Sequence, residues 1–428
     1  MYQTIYGIGN IIFYILFGVT FLLLLQKIIY HFVGLFPSKK FKEAKKDHKY
    51  AILIPARNES RVIEQLLISI RDQNYNKYLL ETYVIVESQN DPTCKIAEKY
   101  KNTEIFVRQH LELKGKGQAL NEVVQHIFKL GKEYDAFFIF DADNVLTADF
   151  IKEMNKCFDE GYDIALGYRN SKNWNGGWVA SCSALTFSMV NTFCNKCRSR
   201  LRKNVTLSGT GFYISAKIIK KLGGWKFFTL TEDYELSMYS TINNLKTTYN
   251  EHAEFYDEQP TEVKTSWNQR LRWIKGFGQV NKKYKKDLFK SMLDKKNVPM
   301  KIEMAMSILP NLVLIATLFL YCAFTLGMGV YGTIIGQETA WKAFMSFGIA
   351  VASIYLFFVF YMALLLVTER KRINITIKGA LECMFMGPIF TILYIPLFFT
   401  SLFKKEVEWK PIVHKVNMKQ EELKKASN

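Results

Sequence analysis

Two aspartates stand one residue apart, directly after a run of apolar residues. Asp141 and Asp143 follow Ala136-Phe-Phe-Ile-Phe140, which has the pattern of a buried strand. Carboxylate oxygens are the ligands that Mg2+ and Mn2+ prefer, and these ions often share them with substrate phosphates. The pair is therefore a candidate cation site, although such pairs are more often solvated turns at strand ends.

A second acidic pair occurs further along the chain, in the sequence Thr231-Glu-Asp233. It follows the glycine-rich segment Ser208-Gly-Thr-Gly211, whose backbone can approach a ligand closely. A carboxylate in this position could act as a general base towards an acceptor hydroxyl. Thr231 could equally cap a helix whose positive end stabilises the two carboxylates, and both interpretations can hold together.

A third group combines arginines with an indole, in Gln269-Arg-Leu-Arg-Trp273. Guanidinium groups offer planar donors to phosphate oxygens, and an indole face can stack on a sugar or a base. The same residues could instead form a helix surface that reaches lipid headgroups.

Residues 51 to about 260 alternate short β-rich runs with helical stretches, which predicts a mostly parallel sheet covered by helices. Strands are predicted at 51–56, 82–86, 104–108 and 136–140, and a helix at 116–130. Glu87, Asp91 and the aspartate pair then collect at the carboxyl ends of strands, where open α/β sheets bind ligands. The chain has no Gly-x-Gly-x-x-Gly motif at the first helix and no P-loop, so dinucleotide-binding and ATPase functions lose their main support.

The chain has 428 residues, of which 49% are hydrophobic, and a formal net charge of +18. Its apolar residues form long uncharged runs near both ends, which excludes an ordinary soluble enzyme, a disulfide scaffold and a disordered chain. The lysines gather beside these runs. This distribution favours the surface of a lipid bilayer over nucleic acid as the partner.

Three uncharged runs, at 5–25, 304–330 and 343–367, are long enough to cross a membrane. A fourth, at 384–403, contains two prolines and could cross with a kink or lie at the interface. Basic residues after the first and third runs place the α/β domain in the cytosol and make this a multi-pass protein of the plasma membrane. The predicted organisation is a transmembrane anchor at 1–33, an α/β domain at 50–280, an amphipathic interfacial helix at 281–300, transmembrane helices at 301–335 and 341–368, a cytosolic segment at 369–380, a transmembrane, interfacial or re-entrant segment at 381–403 and a cytosolic tail at 404–428.

In this order and spacing, the three motifs resemble the processive family 2 glycosyltransferases, which include cellulose, hyaluronan, chitin and poly-N-acetylglucosamine synthases. The resemblance covers residues from about 50 to 285. It implies a cytosolic domain of the GT-A type, a Mg2+ or Mn2+ cofactor, and inversion at the anomeric carbon of a UDP-sugar.

The resemblance also implies residue roles. Asp233 would be the catalytic base, and Asp143 with Asp141 would hold the metal. The remaining roles fall into two sets: Glu87 or Asp91, Lys116, Asp141, Asp143, Gln269, Arg270 and Arg272 for the nucleotide-sugar, and Gly209, Thr210, Glu232 and Trp273 for the acceptor.

The segment Ile373-Asn-Ile-Thr-Ile-Lys378 resembles the gating loop of cellulose synthases, which has the pattern aromatic-x-Val-Thr-x-Lys. Ile373 stands where that pattern has an aromatic residue, while Thr376 and Lys378 match it. The alternative interpretation is an ordinary β-rich loop after a basic stretch.

The sequence thus predicts an inverting membrane glycosyltransferase that extends a β-linked polysaccharide, with a β-glucan made from UDP-glucose favoured. The sequence leaves open whether the product is exported, and a pore in the chain itself, a homo-oligomer and a partner are the alternatives. The alternatives are a polysaccharide synthase that uses UDP-N-acetylglucosamine and a non-processive transferase with a lipid acceptor. A basic membrane protein for binding or transport is the candidate from another class.

Overall fold

The computed structural model describes residues 1–306, 309–404, 407, 414 and 416–422. Within these residues, eight strands form one sheet in the order β3-β2-β1-β4-β7-β6-β8-β5. The strands are β1 Tyr50–Pro55, β2 Leu80–Val86, β3 Thr103–Val107, β4 Ala136–Ile139, β5 Val145–Leu146, β6 Ile164–Ser171, β7 Phe212–Ser215 and β8 Thr247–Asp257. The four strands predicted from sequence are confirmed as β1 to β4.

The sheet is mixed, with four parallel and three antiparallel pairings among the described strands, in keeping with the mostly parallel sheet that the sequence predicted. β1, β2, β3 and β4 pair in parallel, and so do β6 and β8. β7 runs antiparallel to both of its neighbours, and β5 runs antiparallel to β8. The chain between β6 and β7 does not make a simple crossover, because it first forms helices that contact the membrane-side helices and then returns in the opposite direction.

The helices cover both faces of the sheet and continue away from it. They are α1 Tyr2–Gly34, α2 Ile63–Arg71, α3 Pro92–Ala97, α4 Lys116–Lys129, α5 Phe150–Asp159, α6 Trp178–Met189, α7 Cys197–Arg200, α8 Ala216–Leu222, α9 Glu232–Ile242, α10 Val263–Ser291, α11 Val298–Ala305, α12 Leu309–Ile334, α13 Ala340–Glu369, α14 Ile377–Ile392 and α15 Tyr394–Phe403. A π-helical stretch, Val190–Lys196, joins α6 to α7.

Alternation along the strands gives the sheet two buried faces. Ile52 and Ile54 of β1 lie in one apolar cluster, and Leu53 lies in the cluster on the opposite face. Successive side chains of a strand point to opposite faces, so a strand that is apolar throughout must be covered on both sides. This rigid double-sided core fixes the strand ends at which the polar motifs lie.

Within the part of the chain that the structure describes, four apolar segments are long enough to cross a membrane: Tyr2–Gly34, Val313–Ile334, Ala340–Glu369 and Ile377–Phe403. The last comprises α14, which contains Pro388, and α15. The basic stretch predicted as a separate helix at 281–300 is instead the second half of α10, followed by a 3-10 turn and α11. The motif Gln269–Trp273 and the basic stretch therefore share one rigid helix.

Candidate active site

Thr210 holds the turn that follows β4 through hydrogen bonds. The Asp141 N–H donates to Thr210 Oγ1 at 2.9 Å and to Asn144 Oδ1 at 3.2 Å. The Thr210 hydroxyl in turn donates to Asn144 Oδ1 at 2.5 Å, and Thr210 has no exposed surface. The structure thus places Thr210, predicted as an acceptor contact, beneath the acidic turn as a residue that positions it.

Lys116, at the start of α4, joins the acidic turn after β4, the glycine-rich segment and the start of α9. Its Nζ lies 2.5 Å from Asp141 Oδ1, donates to the Gly209 carbonyl at 2.8 Å, and lies 3.9 Å from Glu232 Oε1. Burial alone would lower the pKa of Lys116, but the Asp141 and Glu232 carboxylates outweigh it and raise that pKa. Desolvation would likewise raise the pKa of Asp141, but Lys116 outweighs it and lowers that pKa. Both groups are therefore charged at neutral pH.

Glu232 and Asp233 form the first turn of α9 at the same place. Burial raises the pKa of Glu232 to about 7, because Lys116 only partly offsets the burial and the Asp233 charge adds to it. Burial also raises the pKa of Asp233. A Cβ atom added to Gly209 would lie 3.9 Å from Asp233 Oδ2, so the glycine leaves this carboxylate open on that side.

The predicted cap by Thr231 is wrong in its side-chain part. Thr231 precedes α9, but its hydroxyl makes no capping hydrogen bond and is buried against α10. Another buried acid, Glu235, holds the preceding loop instead. Its carboxylate accepts the Phe228 and Thr229 N–H groups at 2.9 and 2.8 Å. The only sequence signal for this role was an acidic residue in the first turn of the helix.

Helix α10 separates the two arginines of its motif, because residues two apart on an α-helix lie on nearly opposite faces. The half-buried Arg272 acts on the acidic cluster and helps to lower the pKa of Asp141. Arg270 is buried on the other side, where Nη1 donates to the Phe390 carbonyl at 2.9 Å and the guanidinium lies 4.0 Å from the Phe390 ring centre. Arg270 thus ties α10 to α14, and its role towards a diphosphate stays a prediction.

Gln269 is a helix neighbour of both Arg272 and Trp273, since residues three and four apart lie close together on a helix surface. The Trp273 ring meets the Phe187 ring edge-on at 5.8 Å between centres. The Arg169 guanidinium lies 3.7 Å from the centre of the same Phe187 ring, pairs with Asp257 and donates to the Ser208 carbonyl at 2.7 Å. Gln269 and Trp273 are both half-buried, so both side chains can still contact a ligand.

Asp143 lies on the β8 side of the turn with groups that the sequence did not connect to it. Its Oδ2 accepts the Glu258 N–H at 2.9 Å, and His414 Nδ1 stands 3.8 Å from Oδ2. Burial alone would lower the pKa of His414, but Glu258 and Asp143 raise it to about 9. Glu59 is a further missed acid near this turn, and burial raises its pKa to about 7.

The tail holds His414 in place, although no sequence pattern indicated that it returns to the domain. The Val416 N–H donates to Glu258 Oε2 at 3.0 Å, and Gln420 donates to the Leu146 carbonyl at 2.9 Å. Met418 packs against Val145 of β5. Residues 416–422 therefore lie along the β5–β8 edge, next to the acidic turn.

A divalent cation fits this arrangement. Within the described part of the chain, no three His, Cys, Asp or Glu side chains form a ready-made metal cage. Mg2+ and Mn2+ in transferase sites often take only one or two protein carboxylates and complete their shell with water and substrate phosphates. Lys116 engages one oxygen of Asp141, whereas Asp143 accepts the Glu258 N–H at 2.9 Å on one oxygen and the Asn144 amide at 3.3 Å on the other. The choice of Asp143 as the principal metal ligand therefore stays a prediction.

Glu87 and Asp91, the two alternatives for a nucleotide-sugar contact at the end of β2, differ in their surroundings. Both oxygens of Asp91 are engaged, because they accept the Asn58 N–H at 2.8 Å and the Thr93 N–H at 2.9 Å. Glu87 pairs with Arg57 at 3.0 Å and with Arg108 at 3.9 Å, but its side chain is 36% exposed. Glu87 is therefore the freer of the two, and the assignment stays a prediction.

The gating-loop-like segment docks on the loop after β6. Asn175 Oδ1 accepts the Thr376 N–H at 2.8 Å, and the Thr376 hydroxyl accepts the Gly379 N–H and caps α14. Ile373 is buried in the apolar cluster that contains Trp174. Lys378 already lies in α14 with its side chain 88% exposed, so this part of the segment is helical and not a β-rich loop.

The sheet, the acidic turn after β4 and the acidic start of α9 together define an α/β domain of the GT-A-like type. The fold is confirmed by similarity to the mannosyltransferase PcManGT from Pyrobaculum calidifontis, solved in complex with GDP-Man and Mn2+. That structure superposes with a TM-score of 0.59 over 93% of this chain and 100% of its own, at 14% identity. Residues 48–276 match the profile of the family described as "Glycosyltransferase like family 2", and the chain belongs to that family.

Two relatives are similar in sequence to part of this chain. The probable glycosyltransferase YdaM of Bacillus subtilis (strain 168) is 29% identical over 270 residues, which is 59% of this chain and 60% of YdaM. The beta-monoglucosyldiacylglycerol synthase of Trichormus variabilis is 23% identical over 236 residues, which is 53% of this chain and 48% of that enzyme. The match therefore spans only about half to three fifths of these relatives.

Two glycines of α10 provide a test of how this helix positions the acidic pair. A Cβ atom at Gly276 would lie 2.6 Å from Thr231, next to the start of α9, whereas one at Gly278 would meet nothing within 4 Å. We expect Gly276→Ala to push α10 from α9 and to destabilise the protein by about 1–3 kcal/mol. Gly278→Ala is the matched control and should be neutral or stabilising by up to about 1 kcal/mol. Thermal unfolding and activity of both variants check this, and equal behaviour would contradict the packing described.

Proposed function

We propose that this family 2 glycosyltransferase transfers a sugar from a UDP-sugar with inversion, using Mg2+ or Mn2+, and that it does so on the cytosolic side of a membrane. The observation that carries the proposal is the joining of Asp141, Glu232 and the Gly209 carbonyl by one lysine, Lys116, with Asp233 next to them. This arrangement holds donor-side and acceptor-side groups in a fixed relation. The basic residues that follow α1 and α13 support the cytosolic orientation.

In the proposed step, the acceptor oxygen forms a bond to the anomeric carbon while the bond from that carbon to the diphosphate oxygen breaks. The UDP leaves with the electron pair, and the acceptor proton passes to Asp233. A divalent cation held by Asp143 would supply neutralisation of charge on the diphosphate. Arg272 adds positive charge on the acidic side of the site, where it offsets charge in the transition state. The acceptor oxygen attacks the face of the anomeric carbon opposite the leaving UDP, so an α-linked donor gives a β-linkage.

We further propose that the product is a growing β-linked polysaccharide, with UDP-glucose as the favoured donor and a β-glucan as the product. The resemblance of the three motifs and of Ile373–Lys378 to processive synthases supports this choice. UDP-N-acetylglucosamine is the alternative donor, and a homo-oligomer or a partner could complete an export path.

A lipid acceptor is the second candidate function. One relative is named for the synthesis of a glucosyldiacylglycerol. Four apolar segments long enough to cross a membrane would bring a bilayer close to the catalytic domain. A single transfer to a membrane lipid would use the same acidic cluster without chain extension.

One experiment separates these functions. The full-length protein is reconstituted in lipid nanodiscs and incubated with radiolabelled UDP-glucose or UDP-N-acetylglucosamine and Mn2+, with and without diacylglycerol. We expect UDP release with UDP-glucose and a labelled product of high molecular mass. A labelled glycolipid of one sugar would favour the second candidate. Absence of UDP release with either donor would refute the proposed donor class.

The pH dependence follows from Asp233. A general base works only when it is deprotonated, and burial raises the pKa of Asp233 above its ordinary value. We therefore expect kcat/KM to fall as the pH is lowered, with the fall beginning above about pH 4, the ordinary range of an aspartate. The measurement is UDP release across pH, with acid-treated enzyme re-assayed at the optimum to exclude unfolding. A rate that stays flat down to about pH 4 would contradict the assignment.

A further inference from the structure

A cavity of about 210 Å3 lies between the loop after β6 and the segment that follows α13. Residues 170–176 form one wall, Arg372 and Asn374 stand opposite, and Tyr256 and Met418 complete it. Asparagine side chains and two basic residues dominate this lining. The cavity therefore has the chemistry of a site for an anionic, hydrogen-bonding ligand.

Of the basic residues in this lining, Lys172 has no partner among the residues that the structure describes. It is only 6% exposed, yet within the described residues its ammonium forms no hydrogen bond and no ion pair. Three partly buried basic groups near the site are paired. Lys116 pairs with Asp141, Arg169 pairs with Asp257, and Arg372 donates to the Glu251 carbonyl at 2.9 Å.

The backbone connects Lys172 directly to the acidic turn. The Lys172 N–H donates to the Asp257 carbonyl at 2.8 Å, and the next residue, Glu258, donates its N–H to Asp143 Oδ2 at 2.9 Å. Lys172 thus lies across β8 from Asp143, one of the two carboxylates predicted to bind the cation. The carboxylates of Asp143, Glu258 and Asp257 act on its ammonium from beyond ion-pair distance.

A buried ammonium without a partner is costly, and buried charges in proteins are normally paired or neutralised. Burial lowers the pKa of Lys172, because the three carboxylates offset it only in part. Lys172 therefore lines a cavity and lies beside a candidate cation site, without a partner among the described residues. An anionic ligand would supply that partner.

We propose that Lys172 binds the diphosphate of the nucleotide-sugar donor, and that the phosphate oxygens are the partner its ammonium lacks. This inference rests on the proposed function and adds a donor-side residue that none of the three sequence motifs contains. When the anomeric carbon bonds to the acceptor oxygen, the electron pair of the broken bond goes to the diphosphate, and the acceptor proton goes to Asp233. Lys172 faces the charge that the leaving diphosphate gains.

The test uses the full-length protein in nanodiscs and compares wild type with Lys172→Met, Lys172→Arg and Lys217→Met. Lys217 is an exposed lysine of α8 and serves as the matched control. Calorimetry in the presence of Mn2+ gives the affinities for UDP, uridine and inorganic pyrophosphate. We expect Lys172→Met to weaken UDP and pyrophosphate by about 10- to 100-fold while uridine is unaffected. Lys172→Arg should restore part of the loss, and Lys217→Met should change nothing.

A second readout separates binding from a structural role. The unliganded Lys172→Met protein should have a Tm equal to or above that of wild type, because the substitution removes a buried charge and breaks no ion pair. A lowered Tm, an equal loss of uridine and UDP affinity, or unchanged affinity for pyrophosphate would each overturn the proposal. Failure of wild type to bind UDP while it binds pyrophosphate would refute the UDP-sugar donor and still leave the pyrophosphate arm to decide on Lys172. Failure of wild type to bind pyrophosphate would overturn the role of Lys172.

Discussion

Replacement of Asp233 by asparagine is expected to reduce turnover by about 100- to 10,000-fold while UDP still binds. The amide keeps the size of the side chain but cannot accept the acceptor proton. Asp233 stands in the first turn of α9, and the contacts that hold this region, from Lys116 to Glu232 and from Glu235 to the loop before it, do not require its charge. The measurement is kcat for UDP release, together with the Kd for UDP.

The matched control is Asp287→Asn, which makes the same change at an exposed position of α10. It should leave both kcat and the Kd unchanged. An Asp233→Asn enzyme with more than about a tenth of wild-type turnover would transfer the role of base to another group, and Glu232 would then be the next candidate.

Replacement of Asp143 by asparagine is expected to remove the dependence of donor binding on metal. Asp143 is 6% exposed, and the Glu258 N–H and the Asn144 amide donate to its two oxygens at 2.9 and 3.3 Å, so the carboxylate has a fixed direction. Loss of a residue that only supports a metal ligand weakens metal binding by about 10- to 100-fold. Loss of the carboxylate ligand itself should therefore weaken UDP binding in the presence of Mn2+ by at least that factor. The measurement is the Kd for UDP with Mn2+ and with EDTA.

In wild type, Mn2+ should strengthen UDP binding, whereas in Asp143→Asn the two values should agree. The control is Asp149→Asn, which changes an exposed aspartate that follows β5. This variant should retain the full metal effect. A metal effect of wild-type size in Asp143→Asn would exclude this residue as the principal ligand and leave Asp141 as the alternative.

The sequence predicted most of what local pattern determines. The runs at β1 to β4 are apolar and continuous, so their position and burial follow from the residues themselves. The acidic motifs could be placed at strand and helix ends for the same reason. The direction of β7 was missed, because it depends on how the helices between β6 and β7 pack against the membrane-side helices and not on the residues of the strand.

The candidate site was predicted in its acidic parts and less well in its basic ones. Arg270 and Arg272 are one motif in sequence, but the helical geometry of α10 turns them to opposite faces, so only Arg272 acts on Asp141. A helical assignment of this stretch would have separated them.

Other contacts had no sequence signal at all. His414 approaches Asp143 only because the tail returns along β5 and β8. Lys172 is one of many lysines in the chain, and only its burial without a partner distinguishes it. Such long-range contacts arise from the packing of the whole chain, so a local pattern cannot contain them.

The most direct test of the central claim is the configuration of the first bond that the enzyme forms. The full-length protein is incubated with UDP-glucose labelled with 13C at the anomeric carbon, and the product is analysed by NMR. A single displacement with Asp233 as base predicts a β-linkage from the α-linked donor. A product that carries an α-linkage would contradict the proposed mechanism.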